Sequence, residues 1–200
     1  MISAVILAAG LARRMGKPKL LLKLGDKTVI EHVVDNALAA GIGETIVVLG
    51  AHQEEFRKVL SGRKIITVDN ARFHEGQGTS VAAAAAAVSP QAKGILFLMG
   101  DQPFVSASLI NRLIQEFDDS KALIVRHAGS GTPAVFSTEL LTELKQLSGD
   151  VGGRQLIEKY PARVRTVNLA APPETIDLDT EQDYENAREL WARVFLQGGQ

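Results

Sequence analysis

The chain has 200 residues, 46% of them hydrophobic and 22% charged, which suits the core of one compact domain better than two. Its 22 basic and 23 acidic side chains leave a formal charge of -1, so no global field draws it to nucleic acid or anionic lipid, and phosphate binding has to be local. The absence of cysteine excludes disulfides, thiolate metal sites and cysteine nucleophiles.

Ile2 to Leu7 reads as a buried first strand. The opening segment lacks a basic leader and a cleavage site, and no later stretch is long enough to span a bilayer, so a cytoplasmic location without a membrane partner is expected. Val29 to Ala40 reads as a helix, Thr45 to Leu49 as a strand, Gln53 to Leu60 as an amphipathic helix and Lys64 to Val68 as a third strand. The alanine-rich run Ser80 to Val88 has high helix propensity, with Thr79 as cap and Pro90 near its end. Gly94 to Met99 is the next strand, and Ser106 caps a helix reaching about Phe117. Ala122 to Val125 and Pro133 to Phe136 read as strands around a glycine-rich turn, and Leu140 to Leu147 and Gly153 to Tyr160 as helices. Val164 to Leu169 and Thr175 to Leu178 read as late strands and Glu181 to Val194 as a closing helix. This alternation predicts an α/β class: a single three-layer α/β/α domain over residues 1–196, with a mostly parallel sheet and a loose tail at 197–200.

Directly after the first strand comes Leu7-Ala8-Ala9-Gly10, continuing through Arg13, Arg14, Gly16, Lys17 and Lys19. Open α/β sheets bind ligands at the carboxyl ends of their strands. Small residues there let backbone amides approach phosphate oxygens, and arginine and lysine neutralise the charge, so the loop suits a triphosphate. It is not a Walker loop, because five residues separate Gly10 from Gly16 and Pro18 stands where serine or threonine is needed. Nor is Gly76-Gln77-Gly78 a dinucleotide fingerprint, since the third glycine is missing and no strand precedes it. A second ligand-side signal is Gly100-Asp101-Gln102-Pro103, immediately after the strand ending at Met99. Asp101 there is a metal ligand or a helix cap, and Ser106 is better placed to be the cap. Asp179 is open to the same two readings, because with Thr180 it also precedes a helix.

The first loop resembles the LAAGxSxRMGxxK signature of the MobA-like nucleotidyltransferases, in the branch containing molybdenum cofactor cytidylyltransferase. That resemblance implies the Rossmann-like fold of nucleotide-diphospho-sugar transferases. It also implies transfer of CMP from CTP to the phosphate of molybdopterin, giving molybdopterin cytosine dinucleotide and pyrophosphate. Ala9 favours cytidine over guanosine, because the guanylyl branch begins LAGG. By resemblance, Arg14, Lys19 and Asp101 are catalytic, and Asp101 and Asp179 hold Mg2+, with Asp150 the alternative to Asp179 as second ligand. Leu7, Ala8, Ala9, Gly10, Arg14, Gly16, Lys19 and Asp101 contact CTP or another NTP, joined by Asn70, Gly76 and Ser80 from an NxxxxxGxxxS-like stretch. Gln102 and Pro103, Thr132 and Pro133, and Asp150, Gly152 and Arg154 line the acceptor side, resembling GHP and GDxGxR motifs. A molybdenum hydroxylase or its maturation chaperone is the implied partner. The chain departs from the pattern at Ala12, where the family has serine, and at Thr132, where it has histidine. These departures leave open another phosphorylated acceptor or a nucleotide-binding regulator without catalysis. His127 reads as a surface residue.

Overall fold

The computed structural model describes residues 1–10, 18–128, 131–168, 174 and 176–193. Every residue of β1 (Ile2–Ala8) is buried, as a strand covered on both faces requires. A 3-10 turn over Lys19–Leu21 leads to a two-stranded hairpin, β2 (Lys23–Leu24) and β3 (Lys27–Thr28), and then to α1 (Val29–Ala39). Thr28 and Glu31 form a capping box there, with the Thr28 amide donating to Glu31 Oε2 at 2.7 Å. Next come β4 (Glu44–Leu49), α2 (Gln53–Val59), β5 (Ile66–Asp69), α3 (Gln77–Ala87), β6 (Gly94–Met99) and α4 (Ala107–Asp119). The chain continues through β7 (Ile124–His127), β8 (Ala134–Ser137), α5 (Leu141–Lys145), α6 (Arg154–Lys159), β9 (Val164–Val167) and α7 (Glu181–Trp191).

The main sheet has the order β5-β4-β1-β6-β8-β7-β9. Pairing is parallel except at β8, which runs antiparallel to both β6 and β7. Leu7 stands opposite Val48 on one side and Met99 on the other, so the carboxyl ends of β1, β4 and β6 finish level. Strand alternation sends Ile6, Leu96 and Leu98 into one apolar layer with Ile30, Val33 and Leu113 from α1 and α4. It sends Val5, Ile46 and Phe97 into a second layer with Val81 and Ala84 of α3 and Leu156 of α6. The expected three-layer α/β architecture is therefore present.

Three local expectations change. First, α3 begins at Gln77 with Gly76 as its cap residue, ahead of the expected start at Ser80. Thr79 does not cap it, because its hydroxyl lies 2.9 Å from the Gly76 carbonyl and accepts from Asn70 instead. Second, residues 138–140 form a 3-10 turn, so the helix expected from Leu140 is shorter. Third, Ile176–Asp179 is not a strand; Thr175 lies outside the described residues. Its polar groups turn to the end of β6, where Leu178 N donates to Asp101 O at 3.1 Å and Gln102 Nε2 donates to Asp177 Oδ1 at 2.7 Å. The tail at 197–200 also lies outside the described residues.

The start of α3 is held against the loop before α6 by close backbone contact. Gly78 N donates to Gly149 O at 2.8 Å, and a Cβ on Gly76 would fall 2.2 Å from the Gly149 carbonyl carbon. Gly76 also has φ of 115°, which side-chain-bearing residues rarely adopt. Gly76→Ala combines both penalties and is expected to lower stability by about 3 kcal/mol or more, read as the midpoint shift in thermal or urea unfolding. An unchanged midpoint contradicts the packing described.

Helix α1 is tied to the loop before β5 by Arg63, whose Nε donates to Asp35 Oδ1 at 2.6 Å and Nη2 to Glu31 Oε1 at 3.1 Å. Burial acts to raise the pKa of both carboxyl groups, but it is outweighed. Thr28 and Arg63 hold Glu31 below its ordinary value, and Arg63 and Lys27 do the same for Asp35. A depressed folded-state pKa contributes stability that is present above the unfolded pKa and lost as pH falls through the folded one. Arg63→Met is therefore expected to cost about 2 kcal/mol at neutral pH. That deficit should shrink as pH falls below about 4, measured by urea unfolding at both pH values. An equal deficit at pH 7 and pH 3 would show that the carboxylates do not carry the effect.

Candidate active site

The level carboxyl ends of β1, β4 and β6 open into a cavity of about 520 Å3 lined by Ala9, Gly10, Lys19, Phe73, Ser80 and Asp101, among others. Leu7 and Ala9 face it, whereas Ala8, 1% exposed, turns into the opposite apolar layer. Gly50 lets the neighbouring segments close, because a Cβ there would lie 2.6 Å from the Ala9 carbonyl oxygen and 2.7 Å from the Phe73 ring. Arg14 and Gly16 fall outside the described residues, as does Ala12.

On the wall of this cavity the Lys19 ammonium donates to Asp101 Oδ2 at 2.6 Å and to Asp179 Oδ1 at 3.0 Å. Burial works against the charge on Lys19. The field and hydrogen bond of Asp101, followed by those of Asp179, outweigh it and raise the pKa above the ordinary lysine value. Asp177 lies beside this group. Burial is the main cause of its raised pKa, with Asp101 and Asp179 adding and the Gln102 hydrogen bond opposing. The capping alternatives are filled by other residues: Ser106 Oγ accepts from Leu109 N at 3.1 Å, and Thr180 with Asp183 forms the capping box of α7. Asp101 and Asp179 instead converge on one cation.

That convergence bears on metal binding. Two carboxylate oxygens within 3.0 Å of a single ammonium nitrogen form a hard-oxygen donor pair already organised around positive charge, which is the donor chemistry Mg2+ or Mn2+ takes. Among the described residues no group of three His, Cys, Asp or Glu side chains forms a closed metal cage. A divalent ion held by Asp101 and Asp179 would need substrate phosphates and water to complete its shell.

Other expected contacts sit differently. Asn70, 5% exposed, lies behind the cavity rather than in it, with Nδ2 donating at 2.9 Å to both Thr79 Oγ1 and Ser80 Oγ and Oδ1 accepting from Arg72 N. Its amide is occupied in orienting Ser80, which does line the cavity. Gly76 lines the cavity too, although its backbone is shaped by the packing against Gly149. Gln102, 1% exposed, is turned to Asp177, and buried Pro103 uses its carbonyl to accept from Asn36 Nδ2 at 3.3 Å. Neither residue faces open space, so the expected acceptor contact through these side chains is corrected. Pro133 is likewise buried, joined to Thr132 by a cis peptide bond. His127 is a further correction: it is 4% exposed, and burial lowers its pKa.

A second cavity, of about 580 Å3, shares Leu7, Gln77, Met99, Asp101, Asp150 and Asp179 with the first. Thr132, Gly152 and Arg154, expected on the acceptor side, line it together with Arg126 and Phe136. The Arg154 side chain is 87% exposed and paired with Glu158 at 2.9 Å. Sequence reasoning missed Phe73, His74, Gln77 and Met99 as cavity residues. Loop aromatics carry no periodic signal. Arg126 was also missed, although an arginine following the apolar run Leu123-Ile124-Val125 was a readable anomaly.

Residues 4–164 match the family described as MobA-like NTP transferase domain. Over 199 residues the chain is 32% identical to the purine catabolism protein PucB of Bacillus subtilis, covering 92% of this chain and 94% of that one. Over 196 residues it is 28% identical to nicotine blue oxidoreductase of Paenarthrobacter nicotinovorans, covering 92% and 95%. The bifunctional protein GlmU of Symbiobacterium thermophilum is 36% identical over 124 residues, but the match spans only 26% of GlmU's length. Among solved structures, a nucleotidyl transferase from Methanothermobacter thermautotroptrophicus superposes with a TM-score of 0.85 at 28% identity, covering 96% of this chain and 98% of that one. Rv0371c of Mycobacterium tuberculosis in complex with manganese superposes with a TM-score of 0.76 at 32% identity, covering 94% and 98%. With this match over most of its length, the chain belongs to the MobA-like NTP transferase domain family.

Proposed function

We propose that this protein transfers CMP from CTP to the phosphate of a molybdopterin-type acceptor, giving molybdopterin cytosine dinucleotide and pyrophosphate. The observation that carries the reading is the meeting of Lys19, Asp101 and Asp179 beside two cavities that share Asp101 and Asp179. One cavity is sized and lined for a nucleotide, with small-residue backbone at Ala9 and Gly10 and the Ser80 hydroxyl. The other gives an acceptor access to the same carboxylate wall. The choice of cytidine rests on the resemblance of the first loop, with Ala9 as its distinguishing residue.

In the proposed reaction an oxygen of the acceptor phosphate attacks the α-phosphorus of CTP. A new P–O bond forms while the bond from the α-phosphorus to the bridging oxygen breaks, and that oxygen leaves with pyrophosphate. The attacking oxygen is already anionic, so no protein nucleophile or base is required, and the work is positioning and charge stabilisation. Lys19, released from Asp101 and Asp179, supplies a cation for the phosphoryl oxygens, and backbone amides at Ala9 and Gly10 supply neutral donors. Arg14 is assigned the same role by the loop's resemblance. Asp101 and Asp179 would hold Mg2+, whose charge, when bound, offsets that of the phosphates. The dinucleotide product would pass to a molybdenum hydroxylase or its chaperone.

Selective binding raises apparent stability, by about 2.7 kcal/mol at a ligand concentration of 100 Kd. CTP with Mg2+ is expected to raise the melting temperature more than GTP, ATP or UTP does. An equal response to all four, or a preference for GTP, would remove the cytidine assignment. Asp101→Asn is expected to abolish pyrophosphate release with its melting temperature retained. Lys19→Ala should lower turnover by about 10²-fold or more, comparable to losing one preorganised donor. Full activity of either variant with CTP and acceptor contradicts the proposal.

A further inference from the structure

The second cavity poses an electrostatic difficulty for the reaction just proposed. Asp101, Asp150, Asp177 and Asp179 all line it, so a phosphorylated acceptor entering there meets a wall of carboxylates. Lys19 offsets the charge of Asp101 and Asp179, which it bridges from the first cavity, but among the described residues Asp150 and Asp177 have no such partner, and the engaged ammonium is not free to receive the acceptor. Arg154 lines the second cavity but is largely in solvent and paired with Glu158. Among the described residues, the remaining cation in the lining is Arg126.

Arg126 stands near the end of β7, opposite Ala134 of β8 and Thr166 of β9. Strand alternation places it on the same face as Ile124, which belongs to the apolar layer with Phe97, Phe136 and Val81. The residue is half-buried, and its Nε is fully buried without a hydrogen-bond partner. No ion pair engages its guanidinium among the described residues, even though four aspartates share the cavity. A desolvated guanidinium N–H with no acceptor is unfavourable unless something arrives to accept from it. Arginine's planar fork matches the oxygens of a phosphate.

We propose that Arg126 is the phosphate anchor of the second cavity, binding the phosphate monoester of the acceptor and holding it against the repulsion of the aspartate wall. The inference rests on the transferase reading and adds the residue that admits the acceptor. Its role is binding and positioning, so its loss should appear in the KM for acceptor and leave the KM for CTP unchanged.

The test uses the full chain with Mg2+ and a CTP analogue carrying a methylene group between the α- and β-phosphorus atoms, so that the nucleotide cradle is filled and no transfer occurs. Inorganic phosphate is then titrated by calorimetry into wild type, Arg126→Met and Arg126→Lys. Wild type is expected to bind phosphate, Arg126→Met to bind it at least tenfold more weakly, and Arg126→Lys to fall between them. Analogue affinity should stay within twofold in all three proteins. Equal phosphate affinity in wild type and Arg126→Met, or no phosphate binding by the wild-type complex, overturns the anchor. A parallel loss of analogue affinity in Arg126→Met also overturns it, by placing the residue in the nucleotide site or the fold. If Arg126→Met does not fold, Arg126→Lys decides, with an undiminished phosphate affinity counting against the proposal. Failure of the wild type to bind the analogue at all would instead remove the transferase reading.

Discussion

One ammonium group between two carboxylates organises the ligand side of this molecule. Lys19 reaches Asp101 across 82 residues of sequence and Asp179 across 160. Like charges about 4 Å apart at an effective dielectric near 20 repel by about 4 kcal/mol, and an ammonium between Asp101 and Asp179 offsets repulsion of that kind. Placing that cation on the 3-10 turn after β1 joins the start of the chain, the end of β6 and the segment before α7 at one point. Two further hydrogen bonds, from Leu178 to the Asp101 carbonyl and from Gln102 to Asp177, brace the same junction.

The junction can form because the sheet brings its strand ends level. Parallel pairing of Leu7 with Met99 sets the β1 exit beside Asp101, and the antiparallel β8 with the segment before it brings Phe136 and Thr132 to the adjoining cavity. The start of α3 packs on Gly149, and its Gln77 lines both cavities. A nucleotide in one and a phosphorylated acceptor in the other would face the same carboxylate wall. This arrangement accounts for a proposed transfer that needs no protein nucleophile.

Much of the fold was legible because its signals are local. Continuous apolar runs marked β1, β4 and β6, and Ser106 marked the start of α4 through a side-chain cap that the structure contains. The placement of Lys19 and Asp101 was legible for a different reason: both follow buried strands, and strand ends converge in a parallel sheet. Interactions decided by tertiary contact were not legible. Asn70 reads as a ligand-facing amide, yet its partners Thr79 and Ser80 satisfy it inside the protein. Ile176–Leu178 has the apolar character of a strand, but its polar groups find partners on the turn after β6 instead of in a ladder. Phe73 enters the cavity only because Gly50 has no side chain, a relation between residues far apart in sequence.

In the proposed reaction the exit of β1 and the carboxylates of Asp101 and Asp179 together receive a metal-bound nucleotide. The most direct test of this is a crystal structure of the chain grown with CTP and Mn2+, with data collected at the manganese absorption edge. The expected result is an anomalous peak against the Asp101 carboxylate, the triphosphate lying over Ala9 and Gly10, and the Lys19 ammonium moved onto a phosphoryl oxygen. A nucleotide bound elsewhere, or manganese at another site with Lys19 still clasped between Asp101 and Asp179, would contradict it.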